Sequence, residues 1–170
     1  MPPLNSADLE RFALRYVERY ATTRAKLVAY LSRKLRERGW DGEKSPDAEG
    51  LAERMAELGY VNDRLYAESK AGAMARRGLG ARRVREALRF AGVEEGDASA
   101  LAPAIEAQEQ ASAIAFARRK RIGPYAREMA DRPLQEKQMA AMIRAGHAPA
   151  LARAIIRMMP GEDPEASLRD

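Results

Sequence analysis

The sequence predicts an all-α protein built as three tandem three-helix repeats that form an elongated, curved array. Three observations carry that prediction. Ala, Arg, Glu, Leu and Met dominate, residues that lose least on entering a helix, while strand-favouring Val, Ile, Thr and aromatic residues are few. Apolar residues recur at helical spacing almost throughout. A helix core closed by a glycine also returns at an offset of about 53 residues.

The first stripe is Leu9, Phe12, Ala13, Tyr16 and Tyr20, opened by Asn5 or Ser6 as N-cap. Thr22 or Thr23 restarts the chain into a helix with Leu27, Leu31 and Leu35 inside. Gly39 stops it, because glycine accepts the left-handed conformation at a helix end without steric penalty. Residues 40–47 read as a loop, and Ser45-Pro46 signals the start of a helix that buries Leu51, Ala52, Met55 and Leu58 and ends at Gly59.

The pattern then begins again. Asn62-Asp63 caps a helix carrying Leu65, Tyr66, Ala73 and Met74, closed by Gly78. Gly80 opens the next, with Val84, Leu88 and Ala91 inside and Gly92 at its end, and Asp97 or Ser99 starts a third with Leu101 and Ile105. The last set places Ile114, Phe116 and Ala117 in one helix and Leu134, Met139, Met142 and Ile143 in a second that ends at Gly146. His147-Ala148-Pro149 leads into a third, with Leu151, Ile155, Met158 and Met159. Leu31-Leu35-Gly39-Trp40 therefore aligns with Val84-Leu88-Gly92-Val93, and more loosely with Gln138-Met142-Gly146-His147. The expected repeats are 8–59, 60–107 and 108–159, with a flexible tail over 160–170.

Several function classes fall away. The chain of 170 residues has no apolar run near the ~20 residues a bilayer span needs, so no membrane association is expected. Met1-Pro2-Pro3-Leu4-Asn5-Ser6 lacks the basic head and apolar stretch of a secretory signal, and cysteine is absent; both suit the cytoplasm. Without cysteine there is no disulfide, thiolate nucleophile or Cys-ligated zinc. With His147 as the sole histidine there is no multi-histidine metal site, and His147 reads as a helix-boundary or packing residue. Glu49, Glu53 and Glu57 stand four apart on one helix face, which is ordinarily solvated. Arg77-Gly78-Leu79-Gly80 lacks the Lys-Ser/Thr and the preceding strand of a phosphate loop and reads as a hinge between helices. No enzyme, cofactor or metal is expected, and a monomer is expected because no sustained heptad seam is evident.

What remains is basic charge, +5 overall with a pI near 9.7. Arg76, Arg77, Arg82, Arg83, Arg85 and Arg89 gather at one helix junction, opposed only by Glu86. Arg24, Lys26, Arg33, Lys34, Arg36 and Arg38 form a comparable group in the first repeat, and Arg118-Arg119-Lys120-Arg121 a third. Any single arginine is simply a good exposed helix former. Three groups at related places predict a basic track for an extended polyanionic or acidic partner.

These residues resemble the RecX family, regulators of the bacterial RecA recombinase. The resemblance is most specific in Leu58-Gly59-Tyr60-Val61-Asn62-Asp63, then Tyr66-Ala67, Arg76-Arg77-Gly78-Leu79-Gly80, Arg83-Val84, Leu88 and Gly92-Val93. Thr23-Arg24-Ala25-Lys26-Leu27 through Leu31 and Gly39 resembles the family's first-repeat signature. The match runs over residues 9–159, with 121–133 and His147 departing from the family pattern. The resemblance implies a regulator of homologous recombination and DNA repair that binds the RecA–DNA filament and restrains RecA's ATPase and strand exchange. The candidate contact residues for RecA, or for single- or double-stranded DNA, are Arg24, Lys26, Arg33, Lys34, Arg76, Arg77, Arg82, Arg83, Arg85 and Arg89. Composition alone leaves room for a helix-turn-helix-like DNA-binding regulator, for an adaptor to another acidic protein, and for a nucleic-acid enzyme whose ligand set is hidden.

Overall fold

The computed structural model describes residues 1–169, and the regular elements among them are all helical. Ten helices follow in order among those residues. They are α1 (Ser6–Arg19), α2 (Arg24–Arg38), α3 (Ala48–Glu57), α4 (Asp63–Arg76) and α5 (Ala81–Phe90), then α6 (Glu95–Ala107), α7 (Glu109–Lys120), α8 (Arg132–Arg144), α9 (Pro149–Ile156) and α10 (Pro164–Ser167). A single 3-10 turn, Gly123–Tyr125, separates α7 from α8. The chain gathers into two compact units: Met1–Ala67 with Arg89–Ala98, and Glu68–Leu88 with the chain from Ser99 onward.

In the first unit α1, α2 and α3 close over Leu9, Ala13, Leu27, Leu31, Leu51, Ala52 and Met55. Each helix has a capping side chain at its start: Asn5 accepts from the Asp8 N–H, Thr23 from Lys26 and Asp47 from Gly50. Asp47, rather than the preceding Ser45-Pro46, is therefore the start of α3. Leu4 is fully buried as well. Its backbone pairs on both sides, donating to Gly39 O (3.0 Å) and accepting from Asp41 N–H (2.8 Å) in an isolated bridge to Trp40. The loop after α2 is thus pinned by the residues that precede α1.

The second unit packs α7, α8 and α9 around Phe116, Ala117, Ile122, Met142, Ile155 and Ile156. The tail, expected to fray, instead forms α10, capped by Asp163, with Pro164 buried and Leu168 packed against this core. Other boundaries and faces also differ from expectation. α6 begins at Glu95, upstream of Asp97 and Ser99. On α4 the buried apolar positions are Ala67, Ala71 and Met74, while Leu65 is 58% exposed; a face lined with alanine hides the helical stripe from a count of large apolar residues. Leu58, Leu134, Ile143 and Met159 are exposed as well.

Two junctions hold the helix ends together, one in each unit. In the first, the Thr23 hydroxyl donates to Ala91 O (2.5 Å), and Gly92, at φ +75°, lies directly against the Ala25 side chain. In the second, Gly80 N–H donates to Ala145 O (2.7 Å) and Arg82 N–H to Gly146 O (3.2 Å), so that two backbone turns touch without intervening side chains. Each junction seats an Ala-Gly helix end on the first turn of another helix.

Candidate partner-binding surface

The arginines read as one class in the sequence separate into several in space. Arg24 is the clearest departure. It is the first residue of α2, its side chain is 29% exposed, and it faces three carboxylates: Glu53 at 3.2 Å, Asp63 at 3.7 Å and Glu94 at 3.8 Å. Burial works against its charge, but Asp63, Glu53 and Glu94 outweigh that, and its pKa stands above the ordinary guanidinium value. Its backbone N–H also donates to Asp63 Oδ1 at 2.9 Å. Arg24 is thus surrounded by carboxylates of its own chain, one buried and two exposed, and offers little charge to a partner. Asp63 has a double position: Asn62 caps α4 by accepting from Leu65 N–H, which leaves the Asp63 carboxylate to serve the N-terminus of α2.

The rest of the first group lies on α2. Lys26 is exposed and donates to the Tyr66 hydroxyl at 3.2 Å, its ammonium standing over that ring. Arg33 and Lys34 share Glu37, at 3.9 and 3.0 Å. Those cations, with Arg36, hold the Glu37 carboxyl below its usual range, the Lys34 hydrogen bond first among the causes. Arg38 is turned back onto Pro2 O.

In the second group Arg82 donates to Ile143 O (2.7 Å) and pairs with Glu86, while Arg83 reaches Glu86 at 3.7 Å. Arg76, Arg77, Arg85 and Arg89 are exposed, and none has an ion-pair partner among the described residues. These four carry the available charge of this group. In the third group Arg119 donates to Arg77 O and stands over Phe116, Arg118 bonds the Tyr125 hydroxyl, and Arg121 closes α7 in the left-handed conformation at φ +56°.

The scaffold beneath Arg76 and Arg77 is the glycine junction. Gly78 is left-handed (φ +80°), and a Cβ there would lie 2.9 Å from the Phe116 nitrogen. His147 Nε2–H donates to Gly78 O at 2.8 Å, and its ring tilts against Phe116 with centroids 5.5 Å apart. Burial holds the imidazole pKa below its ordinary 6.5, the Gly78 hydrogen bond only partly offsetting it. An unfolded chain therefore takes up the proton first as pH falls. The contribution is complete above about pH 6.5 and is lost as pH drops toward the folded value, with a slope of at most about 1.4 kcal/mol per pH unit. The urea midpoint is expected to fall between pH 7.5 and pH 5.5 by more in the wild type than in His147→Gln. Equal shifts in both proteins would remove His147 as the cause.

Among the described residues no group of three or more His, Cys, Asp or Glu side chains is placed to hold a metal ion, and no helix is long and apolar enough to cross a membrane. Fold and surface together define an all-α protein whose helix ends are locked backbone to backbone and whose free positive charge stands on exposed helix faces. No family model matches the chain. It is 33% identical over 160 residues to the regulatory protein RecX of Myxococcus xanthus (strain DK1622), covering 89% of this chain and 86% of that one. The chain belongs to the RecX family of regulatory proteins. Its fold is similar to the crystal structure of RecX from Lactobacillus salivarius, with a TM-score of 0.66 at 20% identity over 89% of this chain and 94% of the other. It is likewise similar to a second crystal structure of a regulatory protein RecX, with a TM-score of 0.59 at 21% identity over 88% and 72%. At these identities the likeness concerns the fold.

Proposed function

We propose that this protein regulates homologous recombination by binding the RecA–DNA filament and restraining RecA's ATPase and strand exchange. Family membership supports RecA as the partner, and the observation that supports a charged contact is the set of uncompensated arginines, Arg76, Arg77, Arg85 and Arg89. The arginine clamps Arg24 and Arg82 belong to the scaffold in this reading, while Lys26, Arg33, Lys34 and Arg83 are partly neutralised contributors. The three-helix repeat is part of the same proposal. The Thr23–Ala91 and Gly80–Ala145 junctions support it, since each joins the end of one middle helix to the start of the preceding one.

The test is the steady-state ATPase of the cognate RecA on single-stranded DNA, titrated with this protein at two salt concentrations. Inhibition that weakens with salt is expected. The double variant Arg77→Glu, Arg85→Glu is expected to raise the half-inhibiting concentration on the order of tenfold while its urea midpoint stays at the wild-type value. Unchanged ATPase with no binding to verified filaments would overturn the proposal. Unchanged inhibition by the folded double variant would move the contact to other residues.

A further inference from the structure

The stripe Phe12, Tyr16 and Tyr20, expected to be core, is only partly so. Leu9 and Ala13 are the buried residues of α1, whereas Tyr20 is 49% exposed at its C-terminal end. Together with Tyr30 of α2, these rings line an open groove of about 480 Å³ within the first unit. They are four of the ten aromatic residues in the whole chain. Tyr16 and Tyr30 are stacked, with centroids 4.3 Å apart and planes 18° apart, and Tyr20 leans on Tyr16 at 5.2 Å.

The remaining lining is cationic: Arg15, Arg19, Arg33 and Lys34, with no carboxylate. Glu37 partly neutralises Arg33 and Lys34. Arg15 and Arg19 have no ion-pair partner among the described residues; Arg19 lies over the Tyr20 ring at 5.5 Å. A groove lined only by rings and cations, with one ring half in solvent, is poorly explained by core packing. Packing would bury Tyr20 and would not require four positive charges.

We propose that this groove binds single-stranded nucleic acid directly, a base packing against the half-exposed Tyr20 ring in place of the Arg19 guanidinium that now lies over it, beside the stacked Tyr16–Tyr30 pair, and phosphates meeting Arg15, Arg19 and Arg33. Unpaired bases are required because in a duplex their faces are already covered by neighbouring bases, leaving only phosphates to bind. An acidic protein surface would satisfy the cations but does not pair each negative charge with a planar apolar ring, as successive nucleotides do. The site requires neither RecA nor the arginines of α4 and α5, so its failure and that of the filament reading are separable.

The experiment is fluorescence anisotropy of the full chain, without RecA, with a labelled oligothymidylate and with an abasic oligomer of equal length and charge. The wild type is expected to prefer the base-bearing oligomer. Tyr20→Ala is expected to weaken its binding roughly five- to tenfold and to leave the abasic oligomer unaffected. Arg15→Glu with Arg19→Glu is expected to weaken both oligomers, and by more than the charge-matched control Lys120→Glu with Arg127→Glu on the other unit. Circular dichroism establishes that each variant is folded. Equal binding of the two oligomers by the wild type, or equal loss from the groove and control variants, would show a diffuse electrostatic surface and overturn the proposal. So would binding of polyglutamate that competes fully with the oligothymidylate for the unlabelled protein.

Discussion

Asp63→Ala is expected to destabilise the first unit by about 2–5 kcal/mol, far more than loss of a surface carboxylate. Two effects combine at this one side chain, which is 7% exposed as a residue. Its Oδ1 accepts the Arg24 backbone N–H, so removal leaves a part-buried donor without a partner, costing about 1–3 kcal/mol. The carboxylate is also a fixed negative charge at the N-terminus of α2 and faces the Arg24 guanidinium, a further ~1–2 kcal/mol in a partly buried setting. Asp63→Asn keeps the acceptor and loses the charge, and is expected to show roughly half the effect. Glu53→Ala removes a carboxylate that is 58% exposed, where ion pairs contribute about 0–1 kcal/mol, and is expected to shift the urea midpoint little. The three midpoints decide the matter. If Asp63→Ala behaves like Glu53→Ala, Asp63 is no more than a surface charge, and Arg24 returns to the pool of arginines open to a partner.

That ordering explains which parts of the molecule could be read in the sequence. Helix order and most stops were legible because they depend on short-range signals: apolar residues at 3.6 spacing, a capping Asn, Thr or Asp, and a glycine where the helix must turn left-handed. Gly39, Gly59, Gly78, Gly92 and Gly146 all have positive φ. α7 shows the limit, since Arg121 takes the left-handed position usually given to glycine. The site was legible only as a composition of arginines. Whether an arginine is free depends on carboxylates brought from far along the chain, as Asp63 and Glu94 are to Arg24, and no local pattern reports that. Leu4 was missed because burial of one residue outside any helix has no periodicity to reveal it. The groove was missed for the opposite reason. Tyr16 and Tyr20 fit the helical stripe so well that they were assigned inward, although the interleaved pairs Arg15/Tyr16 and Arg19/Tyr20 offered a signal that one flank of α1 is both cationic and aromatic.

Gly80→Ala is expected to be among the most damaging single-methyl changes in the chain, at about 2–6 kcal/mol. The added Cβ would lie 2.5 Å from the His147 nitrogen and closer still to the Gly146 carbonyl group. These obstacles are backbone and cannot rotate away, so the α4–α5 turn must lift off the α8–α9 turn. Lifting it breaks the Gly80–Ala145 and Arg82–Gly146 hydrogen bonds, each about 0.5–1.5 kcal/mol net, in addition to about 1–3 kcal/mol of overpacking. Two other glycines separate this clash from backbone preference. Gly59, at φ +83° with open space around its missing Cβ, is expected to lose only about 1–2 kcal/mol as alanine. Gly96, inside α6 with no neighbour and no left-handed φ, is expected to gain about 0.5–1 kcal/mol. Thermal unfolding of the three variants gives the order directly, Gly80→Ala lowest and Gly96→Ala highest. Because Arg76 and Arg77 stand immediately before this turn, Gly80→Ala should also weaken filament inhibition at temperatures where helicity persists. Equal losses at Gly80 and Gly59 would mean that the two turns separate with little resistance and that the arginines they support are not rigidly presented.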